Sequence, residues 1–258
     1  TPFDPATVEL MDGFTPPGQQ ALSGTTYLLG SDDQGRDMLS TIMYGSRVSL
    51  FVGFSATLFA MTLGIALGLT AGYRGGFADT IIMRIADVQL SFPAILIALL
   101  IFGVAQGLIP ASQQEQTAVW VLILAIGLSN WAQFARTVRG TTMVERQKDY
   151  VSAARLLGRR PLAIVTRHVL PNVLGPVLVI ATISLALAII EEATLSYLGV
   201  GVPPTQPSLG TLIRIGQRFL FSGEWWILAF PAVTLILLAL SVNLLGDWLR
   251  DALNPKLR

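Results

Sequence analysis

The sequence predicts an all-α membrane protein, because its composition is strongly apolar and five of its stretches are long enough to cross a bilayer. Hydrophobic residues make up 52% of the 258 residues and charged residues 13%, a balance unlike that of a soluble domain. A hydrocarbon core about 30 Å thick requires roughly 20 consecutive apolar residues in a helix. Five stretches meet or approach that length: 48–73, 88–109, 118–137, 172–190 and 225–246. We therefore expect a polytopic helical bundle with five spans in this chain.

Several classes of protein are excluded by residues and motifs that the sequence lacks. It has no cysteine and a single histidine, His168, so disulfides, thiolate metal sites and cysteine nucleophiles are ruled out. The H-E-x-x-H and G-x-S-x-G motifs are also missing, which argues against an intramembrane hydrolase. The net charge of +1 gives no indication of a nucleic-acid partner. We expect neither a metal nor a cofactor in this chain.

The loop charges predict the orientation, because cytoplasmic loops hold the excess of Lys and Arg. Residues 136–167 contain eight of the 17 basic residues: Arg136, Arg139, Arg146, Lys148, Arg155, Arg159, Arg160 and Arg167. The same side holds Arg74, Arg84, Arg250, Lys256 and Arg258, and the other side holds Arg36, Arg47, Arg214 and Arg218. The segment 136–167 and the C-terminus are therefore predicted to be cytoplasmic, and residues 1–47 extracytoplasmic.

This orientation requires the polar N-terminal segment to be translocated, although residues 1–47 contain no apolar span or signal-peptide core. We expect a sixth transmembrane helix upstream of residue 1, which would place both ends in the cytoplasm. The alternative is an N-terminus that is processed or exported in another way.

A polar stretch at 149–158, in the predicted cytoplasmic loop, is the first candidate for a functional site. Placed on a helix, Tyr150, Ala153, Ala154, Leu157 and Gly158 share one nearly flat face, and Ser152, Arg155 and Leu156 point away. Gly158 is suited to end this helix, and Pro161 to begin the next. From these residues alone, a helix on the anionic lipid surface and a helix that docks on a partner are equally well supported.

The spacing of this stretch resembles the EAA loop of ABC importer permeases. Seven residues stand at the positions of that motif: Ser152, Ala153, Ala154, Gly158, His168, Leu170 and Pro171. Four further stretches also resemble the second permease subunit of dipeptide, oligopeptide and nickel importers: 28–50, 71–93, 191–204 and 243–258. Four residues depart from the family patterns: Ser152 replaces an acidic residue, His168 a hydrophobic one, Trp248 a glycine and Asn254 an aspartate.

The resemblance implies a bundle of the type I ABC importer permease kind in the bacterial inner (plasma) membrane, forming half of the translocation path for peptides or a related small solute. In that family the helix at 149–158 couples to a cytoplasmic ATPase, and the implied coupling residues are Tyr150, Ser152, Ala153, Ala154, Leu157, Gly158, His168 and Pro171. The chain has no G-x-x-x-x-G-K-[ST] phosphate loop, so ATP and Mg belong to the partner. The implied partners are a second permease in a heterodimer, two ATPase subunits and an extracytoplasmic solute-binding protein.

The domain organisation follows from the same considerations. We expect an extracytoplasmic segment at 1–47 and a transmembrane permease domain at 48–258, with a cytoplasmic coupling loop at 138–168 and an external loop at 199–223. The external loop contains a helix-like piece that either contacts a substrate-delivery protein or caps the bundle.

Four polar residues in or near the spans are candidates for the translocation path. Glu191 and Glu192 follow a long uncharged run, and the favoured interpretation is that both are solvated at the outer interface. Asn130 and Gln133 either line the path or pack between helices, and packing is favoured. The alternative function is an ion-coupled secondary transporter, which is expected to show charged midplane sites and internal repeats that we do not find.

Overall fold

The computed structural model describes residues 1–5, 7–203 and 205–253, and within the last helix it describes side chains up to Trp248 and at Ala252. Every regular element in that part of the chain is helical. The α-helices are α1 (Met38–Arg74), α2 (Gly76–Leu90), α3 (Ala94–Leu108), α4 (Ala111–Glu145), α5 (Asp149–Leu156), α6 (Pro161–Ile164), α7 (Leu170–Tyr197), α8 (Leu209–Gln217) and α9 (Trp226–Leu253). The prediction of an all-α protein is confirmed. Pro204 and residues 254–258, including the predicted tail residues Asn254, Lys256 and Arg258, lie outside the described residues.

Four of the five predicted spans lie within single long stretches of helix, and the fifth is broken. The predicted span at 88–109 is wrong as a continuous helix, because the chain bends by 99° between α2 and α3. Pro93 is the last residue of the break, which covers residues 91–93: its ring disfavours a helical Phe92, and it has no N–H to continue the helical hydrogen bonds. In the described part of the chain, four helices are therefore long and apolar enough to cross a membrane, or there are five spans if the bent pair counts as one.

The chain forms two compact units, whose boundaries fall within the long helices. The first unit comprises Thr1–Phe54, Phe102–Ile123 and Leu187–Ser241. The second comprises Ser55–Ile101, Leu124–Ala186 and the chain from Val242 onward.

In the first unit, α8 packs as part of the apolar core. Leu209 and Leu212 of this helix are buried in a cluster with Met38, Ile42 and Trp226. Ser208 caps the helix through its hydroxyl, which accepts a hydrogen bond from the Thr211 N–H at 3.3 Å. The helix-like piece predicted in the external loop is thus a helix, and its inner face is covered by its own chain.

Hydrogen bonds rather than long helices organise the N-terminal segment of the first unit. The buried Asp12 carboxylate accepts hydrogen bonds from the N–H of Ser23 at 3.0 Å, from the Ser23 hydroxyl at 2.5 Å and from the Tyr27 hydroxyl at 3.0 Å. The bonds from Ser23 stabilise the ionised form and lower the pKa of the Asp12 carboxyl below its ordinary value. At the end of the segment, Asp37 accepts a bond from the Ser40 N–H at 2.8 Å at the start of α1.

In the second unit, α2 is attached to α4 by polar contacts at both of its ends. Arg139 forms a two-bond ion pair with Asp79 near the start of α2. At the end of α2, the Gln89 amide donates to the carbonyls of Leu128 and Ser129 at 2.7 and 2.8 Å. These contacts hold α2 against α4.

Candidate functional site

The predicted helix–turn–helix at 149–161 is present in the second unit. The turn after α5 is closed by two hydrogen bonds, from the Gly158 N–H to the Arg155 carbonyl at 2.9 Å and from the Arg159 N–H to the Ala154 carbonyl at 3.2 Å. This is the Schellman pattern, and Gly158 adopts the positive φ of 70° that it requires. Pro161 is the first residue of α6. The predicted roles of Gly158 and Pro161 in the local structure are confirmed.

The face of α5 that is free to contact a partner differs from the predicted one. Ala154 is only 4% exposed and Val151 is fully buried, both in an apolar cluster with Phe134, Val138 and Val173. The prediction that Ala154 shares a free face with Ala153 is therefore wrong. Val151, which the predicted face left out, is a branched apolar residue one turn before Ala154, and its burial turns Ala154 inward.

An exposed surface that we call the loop patch lies on α5, the turn after it and the start of α6. Its residues are Ser152, Ala153, Leu156, Leu157 and Leu162. Leu156 is 90% exposed, Leu157 79% and Leu162 75%, values that are high for leucine side chains. Arg155 lies over the ring of Tyr73 at 5.5 Å, and Arg155, Arg159 and Arg160 are exposed beside these leucines. Ser152 and Leu156, predicted to point away from the docking face, belong to the surface that is free.

Tyr150 joins α5 to its neighbours through a hydrogen-bond network that the sequence did not reveal. Its hydroxyl donates to Oε2 of Glu145 and accepts a bond from Nδ2 of Asn172 at 3.1 Å. The other carboxylate oxygen of Glu145 pairs with Nζ of Lys148 at 2.6 Å. Partial burial and the bond to Glu145 raise the pKa of the Tyr150 hydroxyl to about 12, so it is a neutral donor at physiological pH. Glu145, Tyr150 and Asn172 lie on three different helices. The spacing of residues along one helix therefore could not predict that they meet.

The motif residues His168 and Pro171 lie at an irregular turn that leads into α7. Residues Val165–Val169 form a π-helical turn. Pro171 explains it, since a proline at this position removes a backbone donor and its ring clashes with the preceding turn of a regular α-helix. His168 stacks on the ring of Tyr150 at 6.4 Å, with 20° between the planes. Its Nδ1 is buried and has no hydrogen-bond partner among the described residues.

The favoured interpretation of Glu192 as a solvated residue is wrong. Its side chain is fully buried in the first unit, where its carboxylate accepts hydrogen bonds from Ser49 at 2.5 Å and Ser196 at 2.8 Å. Glu191 is partly exposed. The two glutamates are neighbours in the sequence, and nothing in the sequence indicated that their burial would differ. Their burial differs because they lie on different sides of α7.

In the second unit, the two polar candidates on α4 differ from each other. Asn130 is partly buried, and its amide donates to the Ile126 carbonyl at 3.0 Å. Gln133 is exposed. Across the described residues, no group of three His, Cys, Asp or Glu side chains is placed to hold a metal ion.

Comparisons with known proteins agree on one kind of relative. Residues 64–258 match the protein family described as a binding-protein-dependent transport system inner membrane component. A putative peptide transport system permease protein of Brucella suis is 40% identical over 245 residues, covering 95% of this chain and 77% of that protein. The dipeptide transport system permease protein of Haemophilus influenzae is 37% identical over 257 residues, covering 100% and 83%. The oligopeptide transport system permease protein of Bacillus subtilis is 34% identical over 256 residues, covering 99% and 78%.

Two solved structures share the fold at lower sequence identity. A chain of the MetNI methionine ABC transporter in an inward-facing conformation aligns with a TM-score of 0.64 and 21% identity, over 84% of this chain and 98% of that one. A chain of an amino acid ABC transporter solved with histidines aligns with a TM-score of 0.61 and 18% identity, over 83% and 95%.

Proposed function

This chain belongs to the family of binding-protein-dependent transport system inner membrane components, and on that premise we propose that it forms half of the translocation path for peptides in an ATP-driven importer. Its fold is that of the type I ABC importer permeases. It is a permease subunit, and ATP hydrolysis belongs to a partner ATPase. Peptides are the proposed solute because relatives at 34–40% identity are named for dipeptides, oligopeptides or peptides. The uncharged character of Asn130 and Gln133 fits a path that accepts varied side chains.

The ATPase contact is assigned to the loop patch, and one observation carries this assignment. The helix α5 buries Val151 and Ala154 in its own chain and leaves Ala153, Leu156 and Leu157 uncovered. Exposed leucines outside the bilayer are costly in water, and a partner that covers them recovers that free energy. Because Ser152 stands where relatives of the EAA pattern carry an acidic residue, the contact relies on shape and apolar area rather than on an ion pair.

The assembly that we propose has two permease subunits, two cytoplasmic ATPase subunits and an extracytoplasmic binding protein. The other permease is a different chain, which makes the membrane part a heterodimer. Closure of the ATPase pair draws the coupling helices together, and rigid-body tilting of the permeases alternates access to the path. In this arrangement 1–47 and the loop at 199–223 face the binding protein, and the loop at 138–168 faces the ATPase.

The path assignments are revised by the burial of the candidates. Glu192 is withdrawn, because both of its oxygens are engaged inside the first unit. Gln133 becomes the first candidate on α4, since it is exposed on a spanning helix. Glu191 and Asn130 are kept as secondary candidates, each with part of its surface exposed.

The assignment of the ATPase contact is tested by Ala153→Asp in the complete transporter. A charge in the middle of the loop patch has to be desolvated when the partner covers it, so we expect about a tenfold or greater loss of co-purified ATPase. Peptide uptake and peptide-stimulated ATP hydrolysis in proteoliposomes are expected to fall with it. Ala154 is unsuitable for this test, because a charge at that buried position unfolds the loop itself.

The matched control is Ala111→Asp, which makes the same change at an exposed alanine in the first turn of α4, in the first unit. It is expected to leave the amount of bound ATPase unchanged. Normal ATPase recovery and normal peptide uptake with Ala153→Asp contradict the assignment of the contact to α5. An intact complex whose hydrolysis responds to other solutes but not to peptides contradicts the proposed substrate.

A further inference from the structure

The side chain of Tyr150 connects α5 to the ends of two long helices at once. Its hydroxyl donates to Glu145, the last residue of α4, and accepts from Asn172, in the first turn of α7. We call Glu145, Tyr150 and Asn172 the latch. We propose that the latch makes α5, the end of α4 and the start of α7 move as one body, so that displacement of α5 by the ATPase reaches both spans. This inference rests on the proposed function, which assigns α5 to the ATPase contact.

Each member of the latch is held by a second contact, which fixes its orientation. Glu145 is 7% exposed, and its other oxygen pairs with Lys148 at 2.6 Å. Asn172 also donates to the His168 carbonyl at 2.7 Å, at the end of the π-helical turn. The Tyr150 ring is held by stacking on His168. A hydroxyl between two such oriented partners has one favourable position, so the three segments cannot shift independently without breaking a bond.

The apolar contacts of α5 do not supply this restraint. The helix has eight residues and buries only Val151 and Ala154, both small. Apolar contact is non-directional, so it resists separation of α5 from the core more than it resists sliding or rotation. Hydrogen bonds depend steeply on angle and distance and therefore oppose those movements. Tyr150 is thus a positioning residue for the coupling of hydrolysis to transport.

The experiment is Tyr150→Phe in the complete transporter, reconstituted in proteoliposomes with its ATPase and binding protein. The phenylalanine ring keeps the stacking on His168 and removes only the hydroxyl. Peptide uptake and ATP hydrolysis are measured in the same vesicles. We expect uptake per ATP hydrolysed to fall about fivefold or more, with co-purified ATPase and hydrolysis retained, because one coupling free energy of the usual size is lost.

A second variant, Asn172→Ala, is made at an exposed position and removes the bond to this hydroxyl together with the bond to the His168 carbonyl. It is expected to lower uptake per ATP in the same way, and the effect of the double variant is expected to be smaller than the sum of the two single effects, since both variants remove the bond between Asn172 and Tyr150. The matched control is Tyr73→Phe, which also removes a tyrosine hydroxyl in the second unit. The Tyr73 ring packs against the apolar cluster that contains Val151 and Ala154 of α5. Its uptake per ATP should equal that of the unmodified transporter.

The latch is overturned by an unchanged uptake per ATP in both single variants, or by a double variant whose effects simply add. Loss of bound ATPase in Tyr150→Phe also overturns it, because Tyr150 would then act in docking and not in transmission. Failure of the proposed ATPase contact is seen separately, as normal ATPase recovery with Ala153→Asp. The two ideas therefore fail in different measurements.

Discussion

Glu192 shows how much a single buried carboxylate organises in the first unit. It accepts hydrogen bonds from Ser49 on α1 and from Ser196 on its own helix. The two serine hydroxyls in turn accept bonds from backbone N–H groups: Ser49 from Leu209 at the start of α8 at 3.3 Å, and Ser196 from Val202 beyond the end of α7 at 3.2 Å. A buried carboxylate is tolerated only when it is fully hydrogen-bonded, and here it joins four segments of the chain.

At this scale we predict that Glu192→Leu destabilises the protein by about 2–4 kcal/mol, because both serine hydroxyls lose their strongest buried partner. Ser49→Ala is expected to cost about 1–3 kcal/mol for the same reason. The control is Ser46→Ala, one turn earlier on α1, whose hydroxyl bonds only to the Ile42 carbonyl of its own helix. Denaturant titration of the purified protein in detergent measures these free energies of unfolding. Equal stabilities for the Ser46 and Ser49 variants contradict the prediction.

Among the elements, α1 and α4 make a close approach in the second unit. Gly64, Gly68 and Gly72 recur every fourth residue along one face of α1. A Cβ atom at Gly68 would lie 2.6 Å from the Ala135 carbonyl oxygen and 2.7 Å from Cβ of Val138. The absence of side chains on this face lets the two helix backbones touch, which is how membrane helices gain packing energy without a hydrophobic driving force.

The corresponding prediction is that Gly68→Ala destabilises the second unit by about 1–3 kcal/mol through overpacking. Gly140→Ala, on the partner helix, is the matched control, since a Cβ there meets nothing within 4 Å. That control is expected to be neutral or slightly stabilising, because alanine is the better helix former. Thermal unfolding of both variants in the same detergent compares them directly. A Gly68 variant as stable as the Gly140 variant is inconsistent with the close approach.

For the molecule as a whole, the loop charges predict an orientation in the membrane, and the absence of cysteine from the sequence makes that prediction easy to test. We predict that Leu22→Cys, which replaces an 82% exposed leucine, is labelled by an impermeant maleimide in right-side-out vesicles. Gln147→Cys and Ala252→Cys, at exposed positions, are expected to react only after the vesicles are opened. Labelling of Ala252→Cys in sealed vesicles is incompatible with a cytoplasmic C-terminus, while reactivity of Gln147→Cys there reverses the whole topology.

The fold class and the helix–turn–helix at 149–161 were predictable from the sequence because their signals are local. Apolar length located four spans, and Gly158 and Pro161 marked the end of α5 and the start of α6. The bend between α2 and α3 had a signal in Pro93, but apolar length alone hid it.

The sequence by itself determined that the chain is helical, apolar enough to cross a membrane several times, and interrupted by a short helix within 149–158. Composition and the positions of Gly and Pro carry this information because they act on neighbouring residues. Only the tertiary structure decided that Ala154 turns inward, that Glu192 is buried while Glu191 is partly exposed, and that Tyr150 bridges Glu145 and Asn172. These outcomes depend on which distant segments pack together. A side chain's burial and hydrogen-bond partners are properties of that packing, and a one-dimensional pattern does not contain them.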